Sequence, residues 1–405
     1  MKRNRWLIAL SAVGIHISIG SVYAWSVLTR PVMETMGLRL SEVTGVFSVA
    51  ILFLGFSAAF LGRFVEHIGP RWSGLLSAFL FCVGLLGTAL AVSWKQLWLL
   101  YFFYGCIGGI GLGVGYITPV ATLVKWFPRK RGFATGLAIM GFGFAALVAG
   151  PAMQYLAAHY GLVPNFLIMA AVYAAVMGCS SLYMAPPRPG EAEDLGTALR
   201  KEWKQEAGDG DVRQYTRKEA LHTWYFYALW WIFFTNITCG IGLLAAASPM
   251  AQEMTGMDAG EAASFVGIIG IINGAGRIGW STLSDWIGRR WTYILFFLLE
   301  TAAFFLLAGT RDQWLFCGLI LLIISCYGGG FSCMPAYLSD LFGVRQLSSI
   351  HGSILTAWGM AGIAGPLLLA TMKEMTGSYT GTLYVFAAMM AVAAVVAWGI
   401  KAVRS

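Results

Sequence analysis

Long apolar runs recur along the whole chain, and each is long enough to cross a lipid bilayer as a helix. A membrane-spanning helix needs about 20 consecutive, mostly apolar residues. Twelve such runs, which we number spans 1 to 12, occupy residues 6–28, 42–62, 72–93, 97–124, 132–158, 163–185, 222–249, 260–283, 291–309, 313–339, 348–372 and 379–401. The sequence therefore predicts an all-α integral membrane protein with twelve transmembrane helices.

The composition argues against a soluble enzyme. Hydrophobic residues make up 58% of the 405 residues and charged residues 11%, whereas soluble domains carry about 25% charged residues. The spans carry no recognisable Ser/His/Asp set or His/Asp metal cluster, so we expect no enzymatic activity. The seven cysteines lie in apolar stretches without C-x-x-C spacing, and we expect neither a metal site nor a cofactor.

The positive charges indicate the orientation of the chain. With the N-terminus in the cytoplasm, 21 of the 27 Lys and Arg residues lie on cytoplasmic segments. Five lie outside, and one, Arg277, lies within a span. Because cytoplasmic loops carry the excess of basic residues, both termini are predicted to be cytoplasmic. The net charge of +8 is therefore explained by the basic cytoplasmic loops of a protein in a lipid bilayer, and we expect no nucleic-acid partner.

A polar segment divides the spans six from six. Residues 186–221 contain fifteen of the 46 charges and are predicted to form a cytoplasmic linker. We therefore expect an N-terminal half at residues 1–185 and a C-terminal half at residues 222–405.

The two halves repeat a short motif, acidic-x-x-Gly-x-Arg, after spans 2 and 8. The matched pairs are Glu66 and Asp285, Gly69 and Gly288, and Arg71 and Arg290, each 219 residues apart; Gly161 and Gly377 match at 216. Internal repeats of this kind predict a pseudo-symmetric bundle with a site between its halves.

Arg277 is the candidate for binding an anion. An arginine at membrane depth costs about 2.5–3.5 kcal/mol on insertion scales and needs an anionic partner or a wet cavity. A carboxylate accepts two parallel hydrogen bonds from a guanidinium, so a carboxylate substrate is expected. Asn273, one turn earlier, could hold Arg277 or bind the substrate. Two alternatives stay open: Arg277 reaches into the cytoplasmic loop, and Asn273 makes only an interhelical hydrogen bond.

These residues carry a family resemblance over the whole chain. The repeated loop motif resembles that of the major facilitator superfamily. Asn273-Gly-Ala-Gly-Arg277 resembles the span-8 motif of the oxalate/formate antiporter family, which is related to the monocarboxylate transporters; Gly20–Ser26 and Trp126–Gly132 are similar too. The resemblance implies a secondary transporter in the plasma membrane, the inner membrane of a bacterium, that works by alternating access.

The resemblance also assigns a gating role to the loop motif. It implies that these residues hold the cytoplasmic helix ends together when the cavity faces outward. The alternative is a solvated turn that only orients the helices, and His67 and Pro70 depart from the usual pattern in the first copy. The predicted gating residues are Glu66, Arg71, Asp285, Arg289 and Arg290.

Spans 1, 4, 7 and 10 line the cavity in this superfamily, which implies substrate contacts from Tyr23, Tyr116 and Tyr327. The alternative is that these phenols only pack against other helices. Apolar contacts with the substrate are expected from Leu28 and Trp358.

Trp358 is informative because it stands where the oxalate carriers are expected to have a lysine in span 11. A single buried cation suits a single carboxylate, which favours lactate or pyruvate over oxalate.

The proton-carrying group is less constrained. His16, Asp258, Glu261 and His351 are candidates, since histidine titrates near neutral pH and the two acids flank the outer start of span 8. The alternatives are neutral hydrogen-bonded histidines and acids that stabilise a helix N-terminus. Animal carriers place an aspartate where this chain has Asn273, and Glu300 in span 9 receives no functional assignment.

The sequence thus predicts a monomeric secondary active transporter of small monocarboxylates, coupled to protons as a symporter. The alternative is an exchanger of the oxalate/formate kind.

Overall fold

A computed structural model describes residues 3–126, 131–187, 214–343 and 347–400. These residues form helices joined by turns, and twelve helical segments are long and apolar enough to cross a membrane. The predicted all-α fold with twelve spans is therefore confirmed.

The helices have the following bounds. Span 1 comprises Arg5–Ile19, the 3-10 turn Gly20–Ala24 and Trp25–Met36; span 2 is Leu40–Phe60; span 3 lies in Gly62–Ser93; span 4 comprises Leu97–Leu100, the π-helical Tyr101–Gly108 and Gly109–Trp126; span 5 lies in Arg131–Tyr160; span 6 is Leu162–Tyr183. Span 7 is Trp224–Thr255, span 8 Ala259–Ile287, span 9 Arg289–Gly309, span 10 Gln313–Phe342, span 11 Leu347–Ile354 with Thr356–Thr376, and span 12 Thr380–Gly399.

Several helices extend beyond the predicted apolar runs. The apolar run of span 1 ends at residue 28, but the helix continues to Met36 and ends at Gly37 with φ +69°. The apolar run of span 7 ends at residue 249, but its helix ends at Gly256 with φ +79°. A hydrophobicity criterion stops at polar residues, whereas a helix continues until a residue such as a left-handed glycine ends it.

Part of the predicted linker lies outside the described residues, namely 188–213. Its end forms the short helix Arg217–Leu221, which begins with a capping box between Thr216 and Glu219. Residues 127–130 of the segment after span 4 are also outside the described part.

The repeat is visible in the backbone. Gly69 (φ +79°, ψ 165°) and Gly288 (φ +84°, ψ 149°) share a conformation that other residues rarely adopt. Gly37 and Gly256, also 219 residues apart, both end a span in the left-handed conformation. The pseudo-symmetry read from the sequence is therefore confirmed, and it extends to this second pair of glycines, which the sequence reading missed.

The halves meet where glycines let backbones approach. A Cβ atom on Gly270 of span 8 would lie 2.6 Å from the Gly143 carbonyl oxygen of span 5. A Cβ atom on Gly55 of span 2 would lie 2.7 Å from the Gly359 nitrogen of span 11. Small residues allow this approach, and it brings span 8, with Arg277, against the N-terminal half.

The span 5–span 8 contact generates a prediction. Gly270→Leu should force these helices apart and lower stability, since overpacking costs about 1–3 kcal/mol. We expect a lower midpoint of thermal unfolding in detergent.

Gly279→Leu is the matched control, because a Cβ atom at Gly279 of the same span meets nothing within 4 Å. Equal unfolding midpoints for the two variants would contradict the close approach of spans 5 and 8.

Candidate functional site

Arg277 lies inside the bundle. Only 3% of the residue is exposed. The alternative interpretation, in which the side chain extends into the cytoplasmic loop, is therefore wrong. Its Nε donates to Asn273 Oδ1 at 3.4 Å, and its Cζ lies 5.0 Å from the centre of the Phe331 ring. The long hydrogen bond and the ring hold the guanidinium without neutralising its charge.

Three tyrosines from three other spans gather around Arg277. The Tyr23 and Tyr327 hydroxyls, from spans 1 and 10, lie 2.8 Å apart. The guanidinium interacts with the hydroxyls of Tyr23 and Tyr116, the latter from span 4. Tyr23 belongs to the 3-10 turn Gly20–Ala24. The structure therefore brings together the three predicted phenols and Arg277 from both halves.

Aromatic rings form one wall of the site. The Trp358 ring lies 5.2 Å from that of Tyr116 and 4.9 Å from that of Phe331. Phe142 of span 5 lies 5.0 Å from Tyr23 and 6.5 Å from Trp358. Trp358 and Arg277 thus share Tyr116 and Phe331 as neighbours. Leu28, five residues after Tyr23, is 1% exposed.

Sequence reasoning missed Phe142 and Phe331. Both adjoin glycines, since Phe142 lies between Gly141 and Gly143, and Phe331 follows Gly328-Gly329-Gly330. Glycines mark the points where helices approach most closely, and the aromatic beside them is then placed at the interface. That proximity is the signal that could have found them.

The three glycines of span 10 also fix the position of Tyr327 and Phe331. A Cβ atom on Gly328 would lie 2.3 Å from the Asn273 carbonyl oxygen of span 8. A Cβ atom on Gly329 would lie 2.7 Å from the side chains of spans 8 and 9. These close contacts with spans 8 and 9 hold span 10 in place. Tyr327 and Phe331 are four residues apart, so they lie on the same face of the helix.

Three buried N–H groups of this site have no hydrogen-bond partner among the described residues. They are Arg277 Nη1, Asn273 Nδ2 and Trp358 Nε1. Buried donors are normally hydrogen-bonded. The arrangement can therefore accept a small ligand with several oxygen acceptors.

The proton candidates lie in different places. His16 Nε2 lies 3.0 Å from the Tyr116 carbonyl oxygen, and its ring stacks on Tyr116 at 5.5 Å. Asp258 and Glu261 form the capping box of span 8, roughly 28 Å and 24 Å along the helix from Arg277 at 1.5 Å per residue. His351 lies in Leu347–Ile354, separated from Trp358 by the helix break at Leu355. His16 therefore contacts a residue of the site, whereas the two acids lie at the other end of span 8.

The second copy of the loop motif forms a polar network. Arg289 pairs with Asp285, and its Nε lies 3.5 Å from Asp340 Oδ2 at the end of span 10. Arg290 donates to the Trp398 carbonyl oxygen of span 12 and lies over its ring. These contacts join spans 8, 9, 10 and 12.

The described residues of the first copy of the loop motif give fewer contacts. Arg71 is exposed after the break at Gly69. The Glu66 side chain lies outside the described part of the chain. The gating role of both copies stays a prediction.

Known proteins support this reading of the architecture. The oxalate:formate antiporter of Oxalobacter formigenes is 25% identical over 383 residues, covering 94% of this chain and 88% of that one. Human monocarboxylate transporter 14 is 28% identical over 46% of this chain and 36% of its own. The crystal structure of a D-xylose-proton symporter superposes with a TM-score of 0.73 at 17% identity, covering 97% of both chains.

The resemblance inferred from the repeated loop motif and from span 8 is confirmed at the level of the family. The sequence pattern of the Major Facilitator Superfamily matches residues 8–366, and the chain belongs to this superfamily.

Proposed function

We propose that this protein is a secondary active transporter of small monocarboxylates such as lactate or pyruvate, coupled to protons as a symporter. The observation that carries the proposal is the buried Arg277 guanidinium, ringed by tyrosine hydroxyls, with Nη1 unpartnered among the described residues. The names of two relatives, an oxalate:formate antiporter and a monocarboxylate transporter, support a carboxylate substrate.

The charge of Arg277 favours a carboxylate over a neutral ligand. Within the described ranges, Arg277 makes no ion pair with an acidic residue. A carboxylate would accept parallel hydrogen bonds from the guanidinium fork. Asn273 Nδ2 and the Tyr116 hydroxyl would bind the remaining oxygens.

The aromatic wall favours a short apolar substituent. Trp358, Phe142 and Phe331 offer ring faces, which suit a methyl group better than a second carboxylate. An exchanger of the oxalate/formate kind is the second candidate, because Trp358 Nε1 is a buried donor without a partner among the described residues and could bind another oxygen.

Transport would follow from movement of the halves. Residues 1–185 and 222–405 would rock about the site, so that it opens in turn to each side. We place the protein in the plasma membrane as a monomer with both termini in the cytoplasm, in line with its basic loops.

Substitution of Arg277 tests the binding site. Arg277→Lys should lower uptake by about tenfold to a hundredfold, the equivalent of one or two charge-assisted hydrogen bonds, because an ammonium cannot reproduce the fork. Arg277→Ala should abolish binding. The measurement is labelled lactate uptake and binding by purified protein in liposomes.

Arg311→Ala is the control, since Arg311 lies in the exposed turn before span 10 and should leave uptake unchanged. Unaltered lactate affinity in Arg277→Ala would remove the central element of the proposed site.

The direction of coupling is tested with pH gradients. A symporter moves the anion with a proton, so liposomes that are alkaline inside should accumulate labelled lactate with no other carboxylate within. Uptake that appears only after preloading with a second carboxylate would reject symport and favour the exchanger.

Competition between anions tests the role of Trp358. A second carboxylate on the ligand would be left uncompensated in an apolar site, which is costly. We expect unlabelled lactate to compete well against labelled lactate and oxalate to compete poorly.

Trp358→Lys should shift the preference toward oxalate. Stronger competition by oxalate than by lactate in the wild-type protein would show that another group supplies a second positive charge.

A further inference from the structure

Glu300 is an acidic residue buried in the middle of span 9. It is 0% exposed, and it lies eleven residues into the helix Arg289–Gly309, about 16 Å along the axis. The Nδ2 of Asn236 in span 7 donates to both carboxyl oxygens, at 3.2 and 3.3 Å. Glu300 is therefore paired with an amide of another span, and not with Arg277.

The groups that face Glu300 carry no positive charge in the described part of the chain. Span 7 contributes Asn236 and the thiol of Cys239, and span 10 the thiol of Cys326. Span 12 also packs against span 9, but its titratable residue, Tyr384, is 45% exposed and lies against Phe305. On span 8, Arg277 is held among the tyrosines.

This environment suits a neutral carboxylic acid. Burying a carboxylate without a cation costs several kcal/mol, whereas a protonated acid and an amide make two complementary hydrogen bonds. The acid O–H would donate to Asn236 Oδ1, and its other oxygen would accept from Nδ2. Asn236 Oδ1 is a buried atom without a partner among the described residues, so protonation would satisfy it after a small rotation.

The stretch of span 7 around Asn236 also packs against the span 10 residues of the proposed substrate site. Asn236 Oδ1 lies 2.2 Å from the position of a Cβ atom on Gly330, next to Phe331. Phe233, three residues before Asn236, lies 5.2 Å from the Phe331 ring. Gly240, one turn after Asn236, packs on the Tyr327 ring. Tyr327 and Phe331, the two site residues of span 10, therefore pack on span 7, whose Asn236 binds Glu300.

We propose that Glu300 binds the proton that accompanies the substrate, and that its pair with Asn236 links protonation to the position of span 10. This inference rests on the symport function proposed above. The protonated acid holds spans 7, 9 and 10 together around the loaded site. Release of the proton requires water to reach the carboxyl, which requires span 7 to separate from spans 9 and 10.

Glu300→Gln tests the inference, because glutamine imitates the protonated acid and can still pair with Asn236. A carrier fixed in this form should exchange internal for external lactate, since both half-reactions use the loaded, neutral form. It should not return empty, because that step needs the deprotonated acid. We expect exchange within about twofold of wild type and at least a tenfold loss of uptake driven by a pH gradient.

Two further variants complete the experiment. Asp312→Asn, a conservative change at the exposed cap of span 10, should leave both assays unchanged. Glu300→Asp keeps a titratable acid at a shorter reach and should retain gradient-driven uptake with a shifted pH profile. If Glu300→Gln does not fold, an unshifted profile in Glu300→Asp overturns the inference.

Uphill uptake at the wild-type rate in Glu300→Gln would overturn it directly. Equal losses of exchange and gradient-driven uptake in folded Glu300→Gln would show a structural role only, which also overturns it. A wild-type protein without gradient-driven uptake rejects symport itself and this inference with it, whereas the other outcomes reject the role of Glu300 alone.

Discussion

The charge of Arg277 is the constraint around which the centre of the molecule is arranged. Its presence at membrane depth costs about 2.5–3.5 kcal/mol. A cation–π contact such as that with Phe331 returns about 0.5–2 kcal/mol, and the bond to Asn273, at 3.4 Å, is long and therefore weak. The Tyr23 and Tyr116 hydroxyls add further contacts, but none of these groups carries a negative charge. An anion that binds here would neutralise the guanidinium through charge-assisted hydrogen bonds.

Glycine allows the helices of the site to approach closely enough to build it. The tyrosines, Arg277 and Trp358 come from spans 1, 4, 8, 10 and 11, and these can converge only if the helices between them approach closely. Gly143 and Gly270 bring the halves together beside span 8, and Gly328 brings span 10 against Asn273. The same close packing turns Phe142 and Phe331 toward the site. The close packing that glycine allows thus determines the shape of the centre of the molecule.

The fold was largely predictable because its signals are local. Each span is a continuous apolar run, and the repeat is carried by short motifs such as those at Gly69 and Gly288. Arg277 was recognisable because a charge inside an apolar run is costly wherever it points. The partners of a side chain depend instead on helix packing. The pairing of Glu300 with Asn236, and the place of Phe331 over Arg277, join residues far apart in the sequence, and no local pattern encodes them. The sequence also offers Asp258 and Glu261 as stabilisers of a helix N-terminus, and the structure forms that capping box, roughly 24 to 28 Å along the helix from Arg277 at 1.5 Å per residue.

The two ends of the bundle are held together differently. On the side that the basic loops predict to be outside, polar contacts cross between the halves: Arg30 Nη1 donates to Gln252 Oε1 at 2.8 Å, and the Ser41 backbone N–H to Glu374 Oε1 at 2.6 Å. On the opposite side, the network of Arg289 with Asp285 and Asp340 joins helices of the C-terminal half alone. Separation of the halves at the first end would therefore break these two hydrogen bonds, whereas the Arg289 network would stay intact if the halves separated at its end. As the predicted gating role requires, this network would keep spans 8, 9 and 10 together when the halves move. Glu300 and Arg277 both lie on these spans, so the movement that would change their surroundings is that of span 7 and of the N-terminal half.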